Sequence, residues 1–330
     1  MKTLILDASA IKKLAGMKES IKAIEDVFRL LGEGKTNMPP KVYLPLPEFD
    51  GDFRAMPAWV KGLKGCGIKW VNVHPQNKKG TLPTVMAIII LSDPSNGFPL
   101  CIMEAAYLTA LRTGAAGGVA AKFLARPDSK KVALVGCGVQ AGTQLQAIRE
   151  IFDIRKVKIW GINDKEMREF IRKFKGLKKI DIKPSPTVKA CVKDSDIIIT
   201  TTPSRKPIVR LEWIGEGVHI NAIGADAEGK QELDSKILKK AKIVVDDIKQ
   251  ASHSGEINVP LSRGELSKRK IYANIGEVVC GKKKGRSRRG EITVFDSTGL
   301  AIQDIAIANL VYTKGLKLKK ARYVSFVSPK

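Results

Sequence analysis

The chain has 330 residues, of which 44% are hydrophobic and 28% are charged, a balance typical of a globular protein with about two domains. It contains no run of about 18 uncharged apolar residues, which argues against a transmembrane helix, and its first residues predict a strand and a helix start rather than a signal peptide. The formal net charge of +25 should attract anionic ligands.

The distribution of basic residues and of cysteines narrows the function classes. Basic residues are spread along the whole chain, and the one dense cluster, Lys282–Arg289, contains no aromatic residue, so we expect a solvated surface and no nucleic-acid partner. Five cysteines without a CxxC pair and three histidines without ligand spacing predict neither disulfides nor a metal site. This usage favours a reducing, cytoplasmic location.

The first third of the chain alternates helices with short apolar segments. Residues Met17–Gly34 place apolar side chains at helical spacing and end at glycines, which predicts an amphipathic helix. A helix rich in small residues is expected from Glu104 towards Arg126. Between the two helices we predict an edge strand bounded by prolines, two further strands and a hairpin, over residues 37–45, 53–58, 67–75, 84–93 and 98–103.

Four cations in this region stand among apolar or small neighbours: Lys41, Arg54, Lys69 and Arg112. Taken singly, each is explained by a side chain that extends its charge to solvent. Together they predict a pocket for a carboxylate. Arginine pairs with a carboxylate through two hydrogen bonds, and a lysine in an apolar pocket has a lowered pKa that suits proton exchange.

The middle of the chain contains the sequence KVALVGCGVQAG, in which a short apolar run leads into a glycine-rich turn and a helical segment. Gly136 permits the tight turn, Gly138 lets the backbone approach a pyrophosphate, and the small Ala141 lets the helix pack on the strand. The N–H groups at the helix start favour phosphate. The alternative is a glycine-rich turn in another α/β unit, and the order of elements favours dinucleotide binding.

The strand that follows should end at Gly161, where a dinucleotide-binding unit normally carries an acid for the ribose hydroxyls or an arginine for a 2′-phosphate. Here the next polar residues are Asn163 and Asp164. Asp164 either selects NAD or caps a helix that begins at Lys165, and both interpretations remain open.

Further strands alternate with helices up to about residue 300, which predicts a doubly wound parallel sheet. We expect strands over 196–202, 218–226 and 241–247, and Asp226 after the second of them is either a helix N-cap or a charged group beside a nicotinamide. The segment Thr293–Asp304 reads as strand, turn and helix, with the turn directing N–H groups at a site. A last strand is expected over Arg322–Ser328.

The order of these motifs resembles that of the ornithine cyclodeaminase/mu-crystallin family, and within it the archaeal alanine dehydrogenases, over essentially the whole chain. The most specific stretches are MPPKVYLPLP, FRAMPA, GIKWVNVHP, TALRTGAAGG, GCGVQAG, HINAIGAD and FDSTGLAIQD. The resemblance implies a homodimer. It also implies an α+β substrate-binding and dimerisation domain over 1–115 with 306–330, and a Rossmann domain over 116–305.

The resemblance also implies roles for individual residues. Lys41, Lys69 and Arg112 would hold the substrate carboxylate, with Lys69 also exchanging protons. Asp226 would act beside the nicotinamide, and Arg54 would favour a small uncharged side chain over that of ornithine. Cofactor contacts are implied at Thr113, Gly136, Gly138, Val139, Gln140, Thr202, Pro203, Ala222, Ile223, Gly224 and Ser297, with cofactor choice at Gly161, Asn163 and Asp164.

The function implied is the reversible oxidative deamination of L-alanine to pyruvate and ammonia with NAD, NADP being the alternative cofactor. Two other functions fit the same resemblance. One is ornithine cyclodeamination or ketimine reduction on the same fold. The other is non-catalytic binding of NADP(H), as in mu-crystallin.

Overall fold

The structure is a computed structural model that describes residues 2–177, 179–319 and 321–327, and for Lys78 the backbone alone. The chain divides into two compact units, Met1–Arg112 with Leu300–Lys330 and Thr113–Gly299. The domain boundaries predicted after residues 115 and 305 lie a few residues further along the chain. The roles assigned to the two domains remain predictions.

The described residues form two sheets and the helices that pack on them. In chain order the strands β1 to β16 are Thr3–Leu6, Thr36–Asn37, Val42–Leu46, Gly51–Val60, Cys66–Val73, Val85–Ser92, Pro99–Glu104, Lys131–Val135, Lys156–Trp160, Asp181–Pro184, Ile197–Thr200, His219–Ala222, Lys242–Val245, Ile271–Asn274, Thr293–Asp296 and Arg322–Val324. The helices α1 to α11 are Ala8–Leu14, Met17–Gly32, Ala106–Leu124, Val139–Ile151, Asp164–Phe174, Val188–Val192, Ser235–Lys240, Ile248–Ser254, Asn258–Ser262, Ile275–Val279 and Ala301–Gly315.

The first unit contains a mixed sheet in the order β16-β1-β7-β6-β5-β4-β2, with β3 paired to β4. The predicted hairpin is confirmed as β6 and β7, which pair antiparallel. Helices α2 and α11 pack together, and α11 lies on β4, β5 and β6. The helical spacing noted in α2 buries Ile24, Val27 and Phe28, so the amphipathic pattern holds the helix on this core.

The second unit contains a parallel sheet in the order β10-β9-β8-β11-β12-β15-β13-β14. Its central strands are buried along their whole length, and apolar clusters cover both faces of the sheet. A parallel sheet needs helices on both faces, because each crossover connection returns over one of them. The predicted doubly wound fold is therefore confirmed.

Several element boundaries differ from the predictions. Helix α5 begins at Asp164, one residue before the predicted start at Lys165, and α4 begins directly after the glycine turn, at Val139. Strands β10 and β14 were not predicted, because both are short edge strands with little apolar periodicity. The last strand ends at Val324, and Ser328 lies outside the described residues. Among the described residues no helix is long and apolar enough to cross a membrane.

Candidate active site

Lys69 lies on the buried face of the sheet in the first unit. It sits in the middle of β5, opposite Met56 of β4 and Ile89 of β6, and its side chain is 1% exposed. Its ammonium nitrogen Nζ is 2.9 Å and 2.8 Å from the two carboxylate oxygens of Asp304 on α11. A lysine buried this deeply requires such a partner, because an unpaired buried charge is strongly unfavourable.

Arg112 joins the same carboxylate from α3. Its Nε is 3.2 Å from Oδ1 of Asp304, and its Nη1 donates to Oε1 of Gln303 at 2.8 Å. Gln303 and Asp304 lie in the first turn of α11, where the helix dipole favours a negative charge. Two buried cations thus share one carboxylate, which leaves an excess of positive charge in this cluster.

Burial lowers the pKa of Lys69 to about 7. The negative charge of Asp304 opposes that decrease, while the nearby positive charges of Arg112 and Lys41 add to it. Removal from water is the cause expected for a lysine in an apolar pocket, and the neighbouring cations lower the pKa by a smaller amount. At neutral pH the ammonium and the free amine of Lys69 are therefore both populated, which suits a group that exchanges protons.

Arg54 faces the same side of the sheet as Lys69, since it lies two residues before Met56 on β4. Its Nε and Nη2 donate to the carboxylate of Asp52 at 2.7 Å and 3.1 Å, and its guanidinium lies over the ring of Tyr43. Asp52 compensates the charge of Arg54. With Asp52 bound to it, Arg54 would discriminate less strongly against the charged side chain of ornithine than a lone arginine would.

Sequence reasoning missed Gln303 and Asp304 as members of this cluster. Their signal is a carboxamide and a carboxylate in the helix sequence AIQDIAIANL, whose other residues are apolar except for Asn309. A polar pair at one face of a buried helix requires partners. Which partners it finds depends on the long-range packing of α11 on β5, and local sequence does not give that.

The glycine turn of the second unit has the geometry predicted for a dinucleotide. Gly136 has a φ of +112°, and a side chain there would meet Oγ1 of Thr201 at 2.5 Å, so both its conformation and its surroundings require glycine. A Cβ on Gly138 would meet no protein atom within 4 Å. Gly138 is also the N-cap of α4 and makes no side-chain cap hydrogen bond, so the helix N–H groups are placed for a phosphate.

The end of β9, where an acidic residue normally binds the ribose hydroxyls, carries Gly161 instead. A side chain at Gly161 would be 2.6 Å from Sγ of Cys137, so the sulfur occupies the space of an acidic side chain. Asn163 is the cap of α5 and accepts from the N–H of Lys165 at 2.8 Å. The cap interpretation of Asp164 is therefore wrong, since Asp164 is the first helical residue. Its role in cofactor choice stays a prediction.

The loops after β11 and β12 hold several of the predicted cofactor positions. Thr202 and Gly224 are bridged by the buried carboxylate of Glu232, a residue the sequence analysis did not single out. Asp226 is not a helix N-cap, because no helix follows it before Ser235, and its carboxylate pairs with Lys230 at 2.5 Å. Pro203, Ala222 and Ile223 lie on the same two loops or strand ends, and Thr113, Val139, Gln140 and Ser297 lie in the same unit.

Two N–H groups of the turn after β15 are bound within the protein, and the role predicted for the N–H groups of the following helix stays a prediction. The N–H groups of Thr298 and Gly299 donate to Oδ2 of the buried Asp246 at 2.7 Å and 2.6 Å. In the basic cluster Lys282–Arg289 every cation except Arg286 is exposed, as expected for a solvated segment. Arg286 donates to the backbone carbonyls of Leu124 and Val218, so its guanidinium ties the loop to the unit's core. Among the described residues no group of metal-binding side chains is found, so no metal site is assigned.

This chain is similar to known proteins in both sequence and structure. The model of the ornithine cyclodeaminase/mu-crystallin family matches residues 1–319. The alanine dehydrogenase of Archaeoglobus fulgidus is 51% identical, over 99% of this chain and 99% of its own length. A solved archaeal alanine dehydrogenase dimer with bound NAD has a TM-score of 0.95 and 50% identity, covering 99% of this chain and 100% of that one. Delta(1)-pyrroline-2-carboxylate reductase from Thermococcus litoralis, solved with NADH and L-proline, has a TM-score of 0.94 and 39% identity, covering 98% and 100%.

Proposed function

This chain belongs to the ornithine cyclodeaminase/mu-crystallin family, and within it we propose that the chain is an NAD-dependent alanine dehydrogenase. The reaction converts L-alanine, NAD and water reversibly to pyruvate, ammonium, NADH and a proton. The observation that carries the proposal is the buried cluster of Lys69, Arg112 and Asp304, which offers positive charge and a proton-exchanging amine to a small carboxylate. It stands in a chain that is 51% identical to a named alanine dehydrogenase.

The cations of the first unit bind and orient the substrate in this proposal. Arg112 and Lys41 pair with the carboxylate of alanine, and Asp304 holds Arg112 by its Nε so that the fork of the guanidinium has a fixed direction. Fixing the carboxylate fixes the direction of the substrate Cα–H bond. Orientation of this kind contributes roughly 7–11 kcal/mol to the lowering of a reaction barrier.

Lys69 moves the protons. Its neutral amine accepts a proton from water as the water adds to the imine carbon of iminopyruvate, and it returns that proton to the nitrogen that leaves as ammonia. In the direction of alanine synthesis its ammonium form donates. A pKa of about 7 keeps both forms accessible at neutral pH. Asp226, whose carboxylate pairs with Lys230, is the second catalytic residue of the proposal and would act beside the nicotinamide.

NAD fits the second unit by the glycine turn and the open Cβ position at Gly138. When bound, it supplies the acceptor for the hydride of the substrate Cα. The helix N–H groups of α4 would hold its pyrophosphate. NAD is preferred over NADP because no arginine follows Gly161 where a 2′-phosphate would lie, and the solved relatives contain NAD or NADH.

A homodimer is supported by the outer face of the sheet in the first unit. Val42, Ala55, Trp70 and Ile88 are register partners on four adjacent strands and form one row. Three of them are large and exposed, with 62% for Val42, 38% for Trp70 and 43% for Ile88. An apolar row of this kind is typical of an interface. A second copy of the chain fits it, since the archaeal relative with bound NAD was solved as a dimer.

The test is a substrate panel. Purified protein is assayed with individual amino acids, and with keto acids plus ammonia, each with NAD(H) and with NADP(H), by the near-ultraviolet absorbance of the reduced cofactor. The highest kcat/KM is expected for L-alanine with NAD and for pyruvate and ammonia with NADH. Delta(1)-pyrroline-2-carboxylate with NADH is the second candidate, because the Thermococcus litoralis enzyme shares the fold and 39% of the sequence. Preference for that cyclic imine would replace the first assignment.

A further inference from the structure

Three buried carboxylates of the second unit take no part in the chemistry proposed above. The side chains of Glu232, Glu256 and Asp296 are fully buried. Burial of a carboxylate is costly unless hydrogen bonds replace its water, so each of these groups must be held by donors from the protein. In all three cases the donors include backbone N–H groups of loops at the carboxyl edge of the parallel sheet.

These residues form a series that we call the acidic ladder. Asp296, at the end of β15, accepts from the N–H of Glu256 at 2.9 Å and from that of Ile257 at 3.1 Å. The carboxylate of Glu256 in turn accepts from the N–H of Glu232 at 2.9 Å and of Leu233 at 2.6 Å. Each carboxylate thus fixes the backbone of the next acid.

The ladder ends at the positions assigned to the cofactor. Oε1 of Glu232 accepts from the N–H of Thr202 at 2.6 Å and from its hydroxyl at 2.7 Å, and Oε2 accepts from the N–H of Gly224 at 2.9 Å. Thr202 follows β11 and Gly224 follows β12, so one carboxylate joins the ends of two adjacent parallel strands. A side chain at Gly224 would be 2.2 Å from the carbonyl oxygen of Thr202 and 2.6 Å from Oε2 of Glu232, which is why glycine is required there. Ligands of open parallel sheets bind at this edge.

We propose that Glu232 is a positioning residue of the cofactor site, which holds Thr202 and Gly224 in place and, through its buried negative charge, favours NAD over NADH. The nicotinamide ring carries a positive charge in NAD and none in NADH, so a fixed negative charge behind the loops discriminates between the two forms. The inference rests on the proposed NAD-dependent function and on the family resemblance, which matches Thr202 and Gly224 to positions along the ribose and nicotinamide of the cofactor.

This role requires that Glu232 is negatively charged, which is the case at mildly alkaline pH. Burial raises the pKa of Glu232 to about 7, although its hydrogen bonds from Thr202 and Gly224 oppose the increase. At about pH 8.5 its carboxylate is therefore mainly ionised. The pKa values of the other two ladder residues are raised as well, chiefly because of burial. That of Asp296 is raised to about 8, and that of Glu256 lies well above its usual value.

The experiment measures the Kd of NAD and of NADH by calorimetry at about pH 8.5 for the wild type, Glu232→Gln and Glu232→Asp. Glu232→Gln removes the charge and should weaken NAD binding roughly three- to tenfold more than NADH binding, as expected for one unit charge screened by a backbone layer. Glu232→Asp keeps the charge but cannot span Thr202 and Gly224, so both affinities should fall in parallel. Glu265→Gln, a carboxylate that accepts from Ser235 in the same unit, is the control and should change neither.

The possible results separate this inference from the proposed function. Equal losses of NAD and NADH affinity in Glu232→Gln would reduce Glu232 to a structural residue and overturn the charge argument. If Glu232→Gln does not fold, Glu232→Asp decides the positioning role, since unchanged affinity for both forms contradicts it and a parallel loss supports it. A wild-type protein that binds neither form would instead refute the cofactor assignment itself.

Discussion

Replacing Asp304 by asparagine should lower the pH at which alanine oxidation is half-maximal. The variant keeps the shape of the side chain but removes the only negative charge in the cluster of Lys69, Arg112 and Asp304. The charge of Asp304 and its hydrogen bond both raise the pKa of Lys69 against the larger effect of burial. Without them the amine of Lys69 loses its proton at lower pH, so the catalytic base is available under more acidic conditions.

The distance between Lys69 and Asp304 also gives the expected loss of stability in Asp304→Asn. At 2.8 Å and an effective dielectric constant of about 20, the direct attraction between Lys69 and Asp304 is on the order of 6 kcal/mol, and desolvation offsets much of it. Removing one partner of a buried pair typically costs about 3–5 kcal/mol. We expect a loss of about 3 kcal/mol at neutral pH, because Lys69 can release its proton instead of remaining an unpaired charge.

The assay compares kcat/KM for alanine against pH in the wild type and in Asp304→Asn, with unfolding by urea measured in parallel. The amino group of alanine titrates identically with both proteins, so the displacement between the two profiles reports the enzyme. The control is Glu19→Gln. It removes the exposed ion pair between Glu19 of α2 and Lys314, which lies on α11 as Asp304 does, and it should change the free energy of unfolding by less than about 0.5 kcal/mol. Coincident profiles for wild type and Asp304→Asn would refute the coupling between Lys69 and Asp304.

Substitutions at Lys69, in the glycine turn and on the outer face of the first sheet test the other assignments. Lys69→Ala should abolish turnover but keep NADH binding, measured by fluorescence titration, and wild-type turnover would remove Lys69 from the mechanism. Gly138→Ala should leave stability unchanged but weaken NADH binding, whereas Gly136→Ala should also destabilise the fold by about 1 kcal/mol or more, since its φ is +112° and Thr201 is close. Ile88→Lys should convert a dimer to a monomer in size-exclusion chromatography, and an unchanged elution volume would exclude this face as the interface.

Much of the fold was predictable because its signals are local. The buried parallel strands β8, β11 and β12 are continuous apolar runs, and the glycine turn follows directly on the first of them. Short edge strands such as β10 carry no such run, because solvent covers part of their surface. Element type was therefore readable at the centre of the sheet and not at its edges.

The candidate site was predictable in its cations but not in the buried acids Asp304, Glu232 and Glu256. Lys69 and Arg112 are conspicuous because a cation among apolar residues is unusual. Asp304 lies 235 residues from Lys69 in the chain, and only the packing of α11 on β5 brings them together. Glu232 and Glu256 stand in polar loop sequences, where an acid is ordinarily exposed. Their burial follows from the backbone N–H groups they accept from, and residue identity alone does not indicate it.

The central claim is that hydride passes from the Cα of L-alanine to NAD with net formation of NADH. Its most direct test uses L-alanine deuterated at Cα, with the nicotinamide product analysed by mass spectrometry. We predict stoichiometric NADH that carries the deuterium on its nicotinamide ring, formed together with pyruvate and ammonia. No net reduction of NAD, or reduced cofactor without deuterium, would contradict the assignment.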